Sequence, residues 1–273
     1  MLSALFAWSA HAEKYKLGAS IEPLTRIISA VGGDLVEVET LLPKNADIHH
    51  YAMRPREIAS LKRLDLVFWF GPELEMVLAR PLKRFANKHH SLLQGLRPAT
   101  GQKLNPHLWL DPDNAARIAW MIAELLQQRY PEGAEQLHQN AEKFDQQMSE
   151  LDKEMRQVFS KIDEIPFAVT HNVIENLVAK YHLNQVAILG DKNHGNYSLR
   201  NAAAFRKAVA ANKVHCIFVE PGVNATTITR IVESKVSLVA LDPLGAKVPD
   251  GEGFTGLLRS LVAEIRDCLH ETR

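Results

Sequence analysis

The feature that most constrains this chain is one apolar stripe in the segment "GAEQLHQNAEKFDQQMSELDKEMRQVFSKID". Leu137, Ala141, Phe144, Met148, Leu151, Met155, Val158 and Ile162 recur at gaps of 4-3-4-3-4-3-4. That spacing aligns all eight on one side of a helix. About thirty residues at 1.5 Å each reach roughly 45 Å, enough to span two small lobes. A solitary coiled coil would use the same stripe, so the flanking sequence has to decide between them.

On both sides of the stripe, short β-branched and apolar runs alternate with helical patterns. "KYKLGAS", "LVEVETLL", "DLVFWFG" and "HLWLD" read as strands of a first lobe. "PFAVTH", "QVAILG", "HCIFVEP" and "SLVALD" read as strands of a second. Amphipathic segments such as "PDNAARIAWMIAELLQQRY" lie between them. Alternating β and α segments predict parallel sheets with helices on both faces. The stripe then belongs to a rigid helix laid across two α/β lobes, and only small lobe motions are expected.

The division follows as residues 1–12, a signal segment; 13–131, the first α/β lobe; 132–163, the linker helix; and 164–273, the second α/β lobe. With 46% hydrophobic residues the chain can bury a core in each lobe. Lys+Arg and Asp+Glu both number 32, which offers no electrostatic grip on nucleic acid or an acidic membrane. No apolar run reaches the ~18 residues of a membrane span.

"MLSALFAWSAHA" is apolar and ends in Ala10-His11-Ala12, a cleavage-like pattern that points to export. No cysteine follows it to take a lipid, so a soluble exported form is expected. The only two cysteines, Cys216 and Cys268, read as a disulfide in that compartment; two buried thiols are the alternative.

Ligands of open α/β sheets bind beyond the carboxyl ends of the strands. His49 follows "VEVETLL" by a short loop, His107 opens "HLWLDP", His171 ends "PFAVTH" and Asp242 ends "SLVALD". Two belong to each lobe, so the cleft between lobes is their common ground. Imidazoles with one carboxylate suit Zn²⁺. His89 and His90 read as solvated loop residues, His194 as part of a Gly/Asn loop, and His138, His182, His215 and His270 as surface or packing residues.

In this order, "NADIHHYAMRPREIASLKRLDLVFWFGPELE", "NPHLWLDP", "VTHNVIENLVAKYHL", "CIFVEP" and "LDPLGAKV" resemble the metal-binding substrate-binding proteins of bacterial ABC importers. Within them the chain is similar to the zinc-binding ZnuA type. The resemblance implies two Rossmann-like lobes with mainly parallel sheets, joined by one long rigid helix, with the metal clamped between them. It implies His49, His107 and His171 as ligands, Asp242 in a place that supplies a carboxylate in some relatives, and His50 beside the site. Glu220 of "VEP" is a candidate partner for a ligating histidine or a strand-end structural residue. Cys216 and Cys268 match the positions of a disulfide in zinc members.

The implied function is capture of Zn²⁺ in the periplasm and its delivery, by a monomer, to an inner-membrane ABC permease driven by a cytoplasmic ATPase, without catalysis. Manganese-binding relatives carry glutamate where His171 stands, which favours zinc over a manganese or iron receptor or adhesin. A His₃-zinc hydrolase is the enzyme alternative, and no HExxH motif supports it. Two departures from the family pattern matter. The stretch before His107 lacks a long His-rich insertion, and Ile48 stands where some members place a ligating glutamate. The fourth position is left to Asp242 or water.

Overall fold

A computed structural model describes residues 13–44, 48, 51–96, 105–190 and 198–270. The signal-like residues 1–12, together with His49, His50 and His194, lie outside the described residues.

The first sheet holds β1 (Tyr15–Ala19), β2 (Val36–Thr40), β3 (Leu66–Trp69) and β4 (His89–Ser91) in the order β2-β1-β3-β4. The second holds β5 (Phe167–Val169), β6 (Gln185–Ile188), β7 (Cys216–Val219) and β8 (Ser237–Ala240) in the order β6-β5-β7-β8. All neighbouring strands are parallel. Each lobe therefore repeats one topology, although no sequence repeat announces it. Central strands are covered on both faces: every residue of β3 and of β7 is buried, as their unbroken apolar runs require. The edge strand β2 instead alternates, with Val36 buried and Glu37 exposed.

Two expectations about the first lobe are corrected. "HLWLD" is not a strand: Leu108–Leu110 form a single 3₁₀ turn leading into α5 (Pro112–Arg129). Asp111 caps that helix by accepting from the Asp113 N–H at 3.0 Å, and Pro112 stands in its first turn. Three consecutive buried apolar residues suit a buried strand and a buried turn equally, so periodicity alone could not separate them. The fourth strand is His89–Ser91, which pairs with Val67–Trp69. His89 and His90 are thus half-buried edge-strand residues, not solvated loop residues.

The long helix, α6, runs over Ala134–Phe159, 26 residues or about 39 Å. It buries Leu137, Ala141, Phe144, Met148, Leu151, Met155 and, at its end, Phe159; Val158 is only half-buried. A straight helix drifts about 20° per heptad against a 3.5-residue repeat. After three heptads the four-residue step therefore faces inward, which corrects the stripe at Val158.

In the first lobe α6 packs on α1 (Glu22–Gly32) and α5, and in the second on α10 (Gly253–His270). Asn140 of α6 donates to the Val31 carbonyl at 2.9 Å, while Phe144 meets Phe254 with ring centroids 5.6 Å apart. Farther along, Glu154 takes a bidentate pair from Arg259, both bonds 2.9 Å.

The lobes also touch directly. Arg26 of α1 is buried, pairs with Glu22 at 3.1 Å and donates to the carbonyls of Val248, Gly253 and Pro249 at 2.7, 2.9 and 3.1 Å. One hydrophobic core consequently runs from Leu17 to Leu269 without a break at the cleft, and a smaller one lies around Phe205, Ile217 and Ile228 in the second lobe.

Cys216 at the start of β7 and Cys268 in α10 form the disulfide, with Cα atoms 6.0 Å apart and a separation of 52 positions in the chain. It staples the C-terminal helix to the central strand of the second sheet. Closing a loop of this length is worth about 4 kcal/mol in the chain-entropy model. Replacing both cysteines by serine is expected to lower the unfolding free energy by about that amount, read by urea unfolding as a lower midpoint with a somewhat steeper slope, because the unfolded chain is no longer cross-linked.

Candidate metal centre

The site grows from the point where the second sheet reverses its winding. β5 ends at Val169, two residues before His171, and its neighbour β7 ends at Val219, one residue before Glu220, so both residues stand just beyond the same end of adjacent parallel strands. His171 Nδ1 lies 2.5 Å from Glu220 Oε1, and the imidazole is almost fully buried. A carboxylate on one ring nitrogen turns the other toward the cleft and raises its basicity as a donor.

His107 reaches the same place from the first lobe. It sits at the start of the 3₁₀ turn before α5, is 3% exposed, and its ring centroid stands 5.1 Å from that of His171 at 77°. Its Nδ1 lies 2.7 Å from Asn105 Oδ1. Neighbouring contacts tie its loop across the cleft. Trp109 Nε1 donates to the Pro243 carbonyl at 2.9 Å, and Asn176 Nδ2 donates to the His107 carbonyl at 3.3 Å.

Asp242 follows β8 and is buried, but its carboxylate is engaged. Oδ1 accepts from the Ala246 N–H at 3.0 Å and Oδ2 from the Lys247 N–H at 2.9 Å. Each oxygen has a second lone pair, so this turn is compatible with coordination without demonstrating it. A cavity of about 660 Å³ joins the parts: Ile48, His107, Trp109, Glu220, Asp242 and Lys247 are among its walls.

The structure thus brings His107 and His171 together and places Asp242 on the same cavity. His49 lies outside the described residues, with its neighbour Ile48 on the cavity wall. Among the described residues no three His, Cys, Asp or Glu side chains converge closely enough to hold a metal ion.

A family model described as zinc-uptake complex component A, periplasmic, matches residues 18–268. The chain belongs to this ZnuA family. The high-affinity zinc uptake system protein ZnuA of Paracoccus denitrificans (strain Pd 1222) is 26% identical, with 96% of this chain and 94% of the relative aligned. The protein of the same name from Yersinia pestis is 25% identical over 92% of this chain and 90% of its own length. A crystal structure of ZnuA superimposes with a TM-score of 0.80 at 25% identity, covering 94% of this chain and all 100% of that one. The two parallel-sheet lobes and the long helix are the architecture shared with it.

Seen as a ZnuA-family member, the chain uses its two winding-reversal points differently. In the second lobe that point carries His171 and Glu220. In the first it carries Ser20 after β1 and Glu75 shortly after β3. Glu75 is fully buried and accepts from Ser20 Oγ at 2.5 Å and from the Gly71 and Phe70 N–H groups at 3.0 and 3.4 Å. Burial, only partly offset by these donors, pushes its carboxyl up to about 7.

Sequence reasoning passed over Glu75 and Asn105. Asn105 was findable, because an Asn two residues before a backbone N–H, with proline between, is the pattern of an Asx turn. Glu75 carried no such signal; only tertiary burial singles it out.

A carboxyl whose native pKa exceeds its unfolded value binds more protons folded than unfolded between the two. Its stabilising contribution is complete below the ordinary 4.5 and is lost as pH rises through about 7. Glu75→Gln is therefore expected to gain on the wild type as pH rises from 5 to 8, by on the order of 3 kcal/mol. Urea unfolding of both proteins across that range measures it; a pH-independent difference contradicts the account.

Proposed function

We propose that this chain captures Zn²⁺ in the periplasm and hands it to an inner-membrane ABC permease driven by a cytoplasmic ATPase, acting as a monomer and catalysing no reaction. The observation that carries this reading is the buried pair His107 and His171, one from each lobe, with ring centroids 5.1 Å apart at the end of a sheet. Family membership, the zinc-uptake names of the relatives and the periplasmic description of the family support it. No described helix is long and apolar enough to cross a membrane.

In this reading His107 and His171 donate through ring nitrogens, and His49 is the third ligand. Asp242 or water completes a tetrahedron. Neutral imidazoles favour zinc over the harder Mn²⁺, which prefers oxygen donors. Glu220 holds the His171 ring in place and lends it negative charge. Delivery requires the ligands from the two lobes to separate. Because the lobes share one core, that separation is a matter of loops more than of a wide hinge.

Competition with a chromogenic chelator tests the assignment. His49→Ala, His107→Ala and His171→Ala are each expected to weaken zinc binding by more than 100-fold, and Glu220→Gln by about 10–100-fold. Asp242→Ala is expected to cost less, since water can take its place. Wild-type affinity in all three histidine variants rejects the site.

A further inference from the structure

We infer that Asn105 is a positioning residue that sets both the tautomer and the place of His107, so that Nε2 is the atom His107 offers to the cleft. The inference builds on the zinc site proposed above. It comes from the hydrogen-bond pattern of a single amide.

Asn105 Nδ2 lies 2.8 Å from the Asn172 carbonyl oxygen and 2.8 Å from Glu175 Oε2. Both of these can only accept, so the amide NH₂ must face them. Oδ1 is thereby turned toward His107, where it accepts the backbone N–H at 3.0 Å. The same oxygen is 2.7 Å from His107 Nδ1. An amide oxygen carries no hydrogen, so the proton in that contact belongs to Nδ1. A neutral imidazole protonated there has its lone pair on Nε2. Free histidine in water populates both neutral tautomers; this loop selects one before any metal arrives.

His171 reaches the same state by a different route, through the Glu220 carboxylate on its Nδ1. The two rings thus present equivalent atoms, one oriented by an amide and one by a carboxylate. An amide carries no charge, so His107 is oriented without adding another anion to a cavity that Glu220 and Asp242 already line.

Asn105 also fixes distance. Asn172 directly follows His171, and its own Oδ1 accepts from Gln185 Nε2 of β6 at 2.9 Å. The path from β6 through Asn172 and Asn105 therefore anchors the His107 loop of the first lobe to the ligand loop of the second. Asn176 closes the link in reverse by donating to the His107 carbonyl. One side chain couples the orientation of one ligand to the backbone of the other.

The test reads the ring nitrogens directly. Two-bond ¹H–¹⁵N correlation spectra of the metal-free full chain, with His107→Gln and His171→Gln for assignment, are expected to show Nδ1–H at both His107 and His171. In Asn105→Ala, His107 is expected to shift to a tautomer mixture while His171 keeps its signature, and zinc affinity by chelator competition is expected to fall about 10–100-fold. Asn105→Asp keeps an acceptor for Nδ1 but loses both NH₂ bonds and sets a second carboxylate against Glu175. It is expected to restore the His107 signature and recover only part of the affinity.

An Nε2–H signature at His107 in the wild type overturns the inference. So does an Asn105→Ala protein whose His107 tautomer is unchanged. If the alanine variant does not fold, the aspartate variant decides: loss of the Nδ1–H signature there overturns the inference equally. The expected tautomers in a wild type that takes up no zinc uphold Asn105 and instead remove the zinc reading.

Discussion

The burial of one face of α6 by helices from both lobes is the constraint on which the rest of the molecule depends. Its seven buried side chains belong to neither lobe alone. Each apolar side chain of Leu, Met or Phe size removed from water is worth about 1.5–3 kcal/mol. Separating the lobes by a wide hinge would expose that face, and it would also strip Arg26 of three carbonyl partners. Packing on α6 and the Arg26 bonds therefore both oppose a wide opening of the cleft.

Half-buried polar groups between the lobes reinforce this. Lys180 of α7 (Glu175–Tyr181) contacts Asp111, Asp113 and Asp152 at 2.7, 2.7 and 2.9 Å, joining the turn after His107, the long helix and the helix after His171. Burial alone would lower the pKa of its ammonium, but hydrogen bonds to the three aspartates outweigh it and hold the pKa above the ordinary value. Three carboxylates on one half-buried ammonium tie these segments to a common point. The two histidine loops are therefore gripped from below by Lys180 and from beside by Asn105.

The placement of three candidate residues could be read along the chain, for a physical reason. His171 and Asp242 terminate apolar runs, and in a parallel sheet the end of a run is the end of a strand and the edge of the cleft. His107 lines the cavity even though its segment is a 3₁₀ turn, since "NPHLWLDP" ends at a helix start under either description. The edge strand at His89–Ser91 was illegible: three polar residues carry no alternation, and only pairing with β3 makes them a strand. Val158 and Phe159 exchanged roles because a strict seven-residue repeat overtakes a real helix by about 20° per heptad.

The sequence by itself determined the two α/β lobes, the helix between them, the family and the residues at the strand ends, because each of these is written in local periodicity or in motif. Tertiary structure alone decided that the two lobes share a strand order, that Glu75 is fully buried, and that Asn105 can turn its amide in only one direction. Those properties arise from what surrounds a side chain after the chain has closed on itself. A carboxyl's solvation and an amide's orientation depend on partners up to 70 positions away in the chain.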